Sequence, residues 1–167
     1  MRVTMASKKP KSKKLSATKA LYQKQLEESV FFVDRSSGKY ELSDGLRALG
    51  LTIEGHDDHF AGDTPDVDWI AACGKNGWVI VSSDLNIKRN VLEQRAILNA
   101  GVAAFFFTSA NITSAEQIEI VQKALQRIAK MLVTQPRPFI ARLSRQGDVE
   151  LWLNAKGEDV MAKRRQG

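Results

Sequence analysis

A chain of 167 residues, 43% hydrophobic and 26% charged, has room for one domain with a true core and not for two full ones. No apolar run approaches the ~20 residues of a membrane span and no secretory leader is apparent; with a single cysteine, Cys73, this points to a cytoplasmic protein. The net charge of +6 is concentrated at one end: residues 1–20 carry seven basic side chains and no acid, so the remainder is nearly neutral.

The segment 1–15 is polar and lysine-rich and reads as a disordered basic tail. Such an arm can reach phosphate, and a solvated leader fits equally well. Residues 16–29 have helical composition with Ser16 as a cap and a thin apolar face. From residue 30 the pattern becomes regular. "VFFVD" reads as a buried strand, and "ELSDGLRALG" as a helix with Leu42, Leu46 and Leu49 on one face. "LTIEGH" is a short strand. "PDVDWIAACG" is a helix opened by Pro65 and closed by Gly74. "WVIVSSD" is a third strand, "NVLEQRAILNAG" a helix and "VAAFFFTS" a fourth strand. A long helix follows, with Ile118, Val121, Leu125, Ile128 and Leu132 as its stripe, and "PFIARLSRQGDVELWL" closes the regular part as a hairpin turning at "RQGD". Residues 154–167 read as a basic C-terminal tail.

Strands that are apolar throughout and alternate with helices predict an α/β three-layer sandwich over 30–153. Its central sheet is mainly parallel, with the C-terminal β-hairpin at one edge. Ligands of such sheets collect at the carboxyl ends of the strands, where strand order reverses. Asp34 and Asp84 each follow a buried strand there, and Asp66 and Asp68 open the helix between them. Like charges about 5 Å apart repel by roughly 3 kcal/mol at an effective dielectric near 20, so clustered acids imply raised pKa values or a bound cation. Oxygen-only ligands favour magnesium or manganese, which suit phosphodiester hydrolysis. Each acid also has a structural reading: Asp34 as a turn cap, Asp66 as an N-cap beside Pro65, Asp84 as the head of an Asx-turn. Two residues apart on a helix is about 200°, so Asp66 and Asp68 cannot both face the sheet. Asp66 shares its face with Trp69 and is the choice, with Asp68 in reserve.

These residues resemble the PIN-like domain nucleases related to VapC-type toxins. The resemblance runs from Phe31 to Trp152 through "FFVDRSSG", "LRALG", "DHF" with "DVDWI", "GWVIVSSDLNIKR" with Glu93 after it, and "RPFIARLSRQGDVELW". It implies a metal-dependent endoribonuclease using Mg or Mn, the toxin of a toxin–antitoxin pair, with RNA as substrate and a cognate antitoxin as partner. It leaves room for a homo-oligomer and none for a membrane. Asp34, Asp66 and Asp84 match the family's metal-binding acids, and Ser36 the small polar residue that supports the first of them. A further acid common two residues past Asp84 is here Asn86, whose amide oxygen can still coordinate, with Glu93 as a compensating reserve. Arg35, Lys88 and Arg89 flank the acids and can hold substrate phosphates. A PIN-like domain that binds without cutting is the alternative that Asn86 permits, and a magnesium-dependent phosphatase is a third. "HDDHF" offers His56 and His59, too few ligands for zinc.

Overall fold

The structure, a computed structural model, describes residues 16–35 and 40–166. The lysine-rich segment 1–15 and Ser36 lie outside the described residues. Helix α1 covers residues 16–28 and leads into β1 (Val30–Val33). Then come α2 (Glu41–Ala48), β2 (Thr52–Gly55), the single-turn α3 (His56–His59), α4 (Asp66–Asn76) and β3 (Val79–Ser82). A 3-10 turn (Leu85–Lys88), α5 (Val91–Ala100), β4 (Ala103–Phe107) and α6 (Ser114–Thr134) follow. The hairpin of β5 (Phe139–Leu143) and β6 (Val149–Leu153) and a last helix, α7 (Val160–Gln166), complete the chain.

The strands form one sheet in the order β2-β1-β3-β4-β5-β6. All pairs are parallel except β5 with β6. This is the three-layer, mainly parallel architecture with an edge hairpin that the sequence predicts. The chain steps from β1 outward to β2, then lays β3 on the other side of β1, so strand order reverses between β1 and β3.

Side chains alternate across the sheet with a period of two. Phe31, Val33, Val79, Val81, Phe105 and Phe139 meet Leu42 and Leu46 of α2 and Ile120, Val121 and Ile128 of α6. Phe32, Ile80, Ala104, Phe106 and Ile140 meet Trp69, Ile70 and Cys73 of α4 and Ile97 of α5. Both sheet faces are covered, which is why the strands read as unbroken apolar runs. The thin face of α1 also finds a place: Leu26 is buried in the first core and Tyr22 packs against it.

Three elements differ from the sequence reading. On α6 the buried face centres on Val121, Ala124, Ile128 and Ala129, while Ile118 and Leu125 sit half-buried at its margin. Small alanines let the helix approach the sheet, so side-chain size rather than hydropathy sets the centre of the stripe. Helix α4 runs through Gly74 and ends at Gly77, whose φ of 69° gives the left-handed cap. The N–H of Trp78 bonds to the carbonyl of Cys73 at 2.9 Å, closing the helix end. Gly74 serves close approach instead: a Cβ there would lie 2.3 Å from the carbonyl oxygen of Ala100 on α5. Gly74→Ala should gain about 1 kcal/mol of helix propensity. Forcing α4 and α5 apart costs more, about 1–3 kcal/mol net of adjustment. A lowered urea midpoint is expected, and an unchanged or higher one would show that the helices can part freely.

The third difference lies beyond β6, where residues 154–166, read as a tail, carry a turn and α7. Asn154 accepts the N–H groups of Lys156 and Glu158, both at 3.0 Å. Asp159 bridges to Leu153, accepts the N–H of Ala162 at 2.8 Å and accepts Trp152 Nε1 at 3.2 Å. An aspartate at a helix start satisfies orphan N–H groups. Those hydrogen bonds hold Asp159 below the usual carboxylate range, opposed by its burial.

Candidate functional site

The site is built where strand order reverses. Asp34 is the first residue past β1 and is 6% exposed. Ser82, the last residue of β3, donates from Oγ to Asp34 Oδ2 at 2.5 Å and accepts the backbone N–H of Asp84 at 3.1 Å. One buried hydroxyl thus ties the ends of two neighbouring strands and brings both acids to one edge. Asp84 Oδ1 accepts the N–H of Asn86 at 2.9 Å, heading the 3-10 turn. The Asx-turn reading of Asp84 therefore holds alongside its place in the cleft, because a single oxygen serves the turn.

Asp66 is the first residue of α4 and makes no side-chain cap; Pro65 holds the N-cap position. Its Oδ1 accepts Trp69 Nε1 at 3.0 Å. Residues three apart share a helix face, and Trp69 is buried against the sheet, so Asp66 is held toward the strand ends. Asp68 is exposed and lies outside the cleft.

The fourth carboxylate is Glu93, in the first turn of α5. Asn90 caps this helix by accepting the Glu93 N–H at 3.1 Å and donates from Nδ2 to Glu93 Oε2 at 3.2 Å. The side-chain amide of Asn90 thus bonds both the backbone and the carboxylate of Glu93, and it fixes the direction of the Glu93 side chain. Glu93 is 3% exposed. Burial pushes its carboxyl up to about 7, and the charges of Asp66, Asp84 and Asp34 push the same way. The four acids are therefore close enough for one to feel the other three.

Together they line an open cleft of about 240 Å³, with Arg35, His56, Gly62, Thr64 and Trp69 completing its wall. Arg35 stands at the rim, its Nε 3.1 Å from Asp57 Oδ1 and its Nη1 donating to the Gly62 carbonyl at 2.9 Å. Asn86 is exposed and does not line the cleft; its amide N–H is spent on Asp84. Lys88 lines a neighbouring groove with Arg142, Trp152 and Arg165, and Arg89 is exposed. Ser36 lies outside the described residues.

His56 is buried among the rings of Phe32, Phe60 and Trp69, with Nδ1 3.4 Å from Asp57. His59 turns away to Glu54, at 2.7 Å, and to the ring of Trp78. Among the described residues no three carboxylate, imidazole or thiol groups meet tightly enough to form a ready-made metal cluster. Magnesium keeps several waters and is held through one or two carboxylates plus substrate phosphate. An all-oxygen set whose members repel one another, with the most buried acid driven toward the neutral form, suits a hard divalent cation. Behind the acids, burial and the charge of Asp34 push the Cys73 thiol up to about 12, which leaves it an inert packing residue.

Two residues, Ser82 behind Asp34 and Thr64 in the cleft wall, escape a reading by sequence alone. Ser82 leaves a trace, a hydroxyl closing an otherwise apolar strand, while Thr64 leaves none. Among the described residues no helix is long and apolar enough to cross a membrane.

Residues 29–109 match the family model described as a PIN like domain. The chain is 32% identical over 113 residues to "Putative ribonuclease VapC45" of Mycobacterium tuberculosis (strain ATCC 25618 / H37Rv). That match spans 65% of this chain and 81% of that protein. No solved structure matches the chain. With a sheet reversing between β1 and β3, acids at that point and a relative of this kind over most of its length, the chain belongs to the PIN-like domain family of VapC type.

Proposed function

We propose that this protein is a Mg- or Mn-dependent endoribonuclease acting as the toxin of a toxin–antitoxin pair, with residues 30–153 as its catalytic unit. The observation that carries the reading is the set of Asp34, Asp66, Asp84 and Glu93 around one cleft at the switch point of the sheet. Asp34, Asp66 and Asp84 would hold the cation, and Glu93 would take the part that the sequence reading assigns first to Asn86. When bound, the metal polarises a phosphoryl oxygen and lowers the pKa of a bound water. Ser82 orients Asp34 through its hydroxyl, and Trp69 orients Asp66 through its indole N–H. Glu93, buried beside the three aspartates, would add a fourth carboxylate to the set facing the cation. Arg35 at the rim is placed to meet a substrate phosphate. The relative's printed name supports RNA as substrate, and its VapC type supports a cognate antitoxin as the protein partner.

Incubation of the purified chain with single-stranded RNA, with Mg, with Mn and with excess EDTA, tests this. Fragments are expected with either metal and none with the chelator. Equal cleavage in EDTA would remove the metal from the reaction. RNA binding with no cleavage under any of these conditions would replace the nuclease by a binding module.

A further inference from the structure

The acidic cleft has a basic neighbour. Beyond the turn that begins at Asp84, a groove of about 350 Å³ is lined by Lys88, Arg142, Trp152 and Arg165, with no carboxylate among the described residues of its wall. The turn itself joins the two: Asp84 faces the cleft, while Leu85, Ile87 and Lys88 line the shallow apolar floor that leads toward Arg142 and Trp152. Arg142 is unusual for a residue inside a sheet. It sits in β5 opposite Phe106 of β4, and Glu150 stands across the antiparallel ladder from it. No ion pair joins Arg142 to Glu150 or to any other described residue; its Nη1 reaches the sulfur of Met161 at 3.5 Å, and its buried Nε has no hydrogen-bond partner. A guanidinium held this way is stiffened by α7 yet unneutralised. Lys88 and Arg165 are exposed and likewise enter no ion pair among the described residues, though Arg165 lies near enough to Asp159 to act on its charge. Asp159 is itself committed to capping α7 and to the indole of Trp152. That bond fixes the indole plane at the groove wall.

Three cations without salt-bridge partners beside a fixed, half-exposed indole are the two elements that hold single-stranded nucleic acid: backbone charge contacts and a stacking surface. We propose that this groove, formed by the 3-10 turn, the carboxyl-terminal half of β5, β6 and α7, is a nucleotide subsite for the single-stranded RNA strand flanking the scissile phosphate. Arg142 and Arg165 take a phosphate, Lys88 guides the strand from the cleft, and a base stacks on Trp152. The subsite rests on the ribonuclease reading and assigns α7 a working surface.

The test uses Asp34→Asn protein, so that binding is read without cutting, and a short labelled oligouridylate followed by fluorescence anisotropy over a range of salt. Arg142→Gln with Arg165→Gln should weaken binding about tenfold or more and flatten the dependence of log affinity on log salt by about one, since each lost phosphate contact releases fewer counterions. Trp152→Leu, which keeps apolar bulk, should weaken binding about tenfold with the salt slope unchanged. Arg165→Gln alone, at an exposed position, guards against a folding artefact and should reproduce part of the loss. Lys130→Gln, an exposed charge on α6, is the control and should change little. Equal loss in that control, or unchanged affinity and slope in the double variant while RNA still binds, would overturn the subsite and leave the ribonuclease reading standing. Unchanged RNA binding with lost binding of polyglutamate would place an acidic protein segment there and also overturn it. Absence of any RNA binding or cleavage by the unsubstituted chain is the distinct failure of the ribonuclease reading itself.

Discussion

Asp34→Asn is expected to lower RNA cleavage at saturating Mg by a hundredfold or more while leaving the protein folded. Metal-centred charge stabilisation is worth several kcal/mol, and each ~1.4 kcal/mol is tenfold in rate. Asparagine matches aspartate in shape, so Ser82 can still donate to its oxygen and the tie between β1 and β3 survives. What disappears is a negative charge at a position only 6% exposed, where it has most influence on a cation. The thermal midpoint without metal should be equal to the wild type or higher, because one member of a self-repelling set has been removed. Asp84→Asn should act in the same direction, with some loosening of the 3-10 turn that its carboxylate heads. Cleavage within threefold of wild type by Asp34→Asn would remove this residue from the metal centre.

The second large effect concerns stability and pH. Glu93 has a folded pKa of about 7 against 4.5 for the free side chain. Between those values the folded protein keeps a proton that the unfolded chain has released. Stability of the metal-free protein therefore falls as pH rises across that window, and the loss is complete above about pH 7. At ~1.4 kcal/mol per unit the loss is on the order of 3 kcal/mol. Glu93→Gln carries no titrating group and retains an oxygen for the Asn90 amide. It should unfold at a higher temperature than wild type at pH 8 and near the same temperature at pH 4. Taking the difference between the two curves removes whatever other groups contribute. Adding Mg at pH 8 should raise the wild type more than the variant, since the cation relieves the repulsion that glutamine has already relieved. Parallel curves for the two proteins would mean that Glu93 ionises freely and does not share the field of the three aspartates.

These two predictions separate what each level of structure contributes. Asp34 was visible at once, because an acid directly after "VFFV" stands out against a strand buried on both faces. Asp84 follows the same pattern, and the choice of Asp66 over Asp68 follows from 3.6 residues per turn together with the tryptophan three positions on. In each case a local periodicity carries the information. The reserve place of Glu93 behind Asn86 shows where locality stops. Asn86 is near Asp84 in sequence but lies in a 3-10 turn that spends its backbone N–H on Asp84 and leaves its side chain exposed. Glu93 is farther along, yet the cap at Asn90 and the packing of α5 against α4 turn its carboxyl inward. Gly74 makes the same point in reverse: by sequence it is a helix stop, and in the fold it is the gap through which two helices touch.

By itself, then, the amino-acid sequence determined the layers of this protein, the parallel sheet with its edge hairpin, and the acids at the ends of β1 and β3. Those features depend on which residues are apolar and at what period, and burial of a sheet on both faces leaves few alternatives. Only the tertiary structure decided which further carboxylate completes the cleft, which hydroxyl joins the two strands, and that residues after β6 fold back as α7 beside Arg142. Those depend on distances between elements remote in the chain, set by helix caps and by the size of the side chains at each contact, and no periodicity records them.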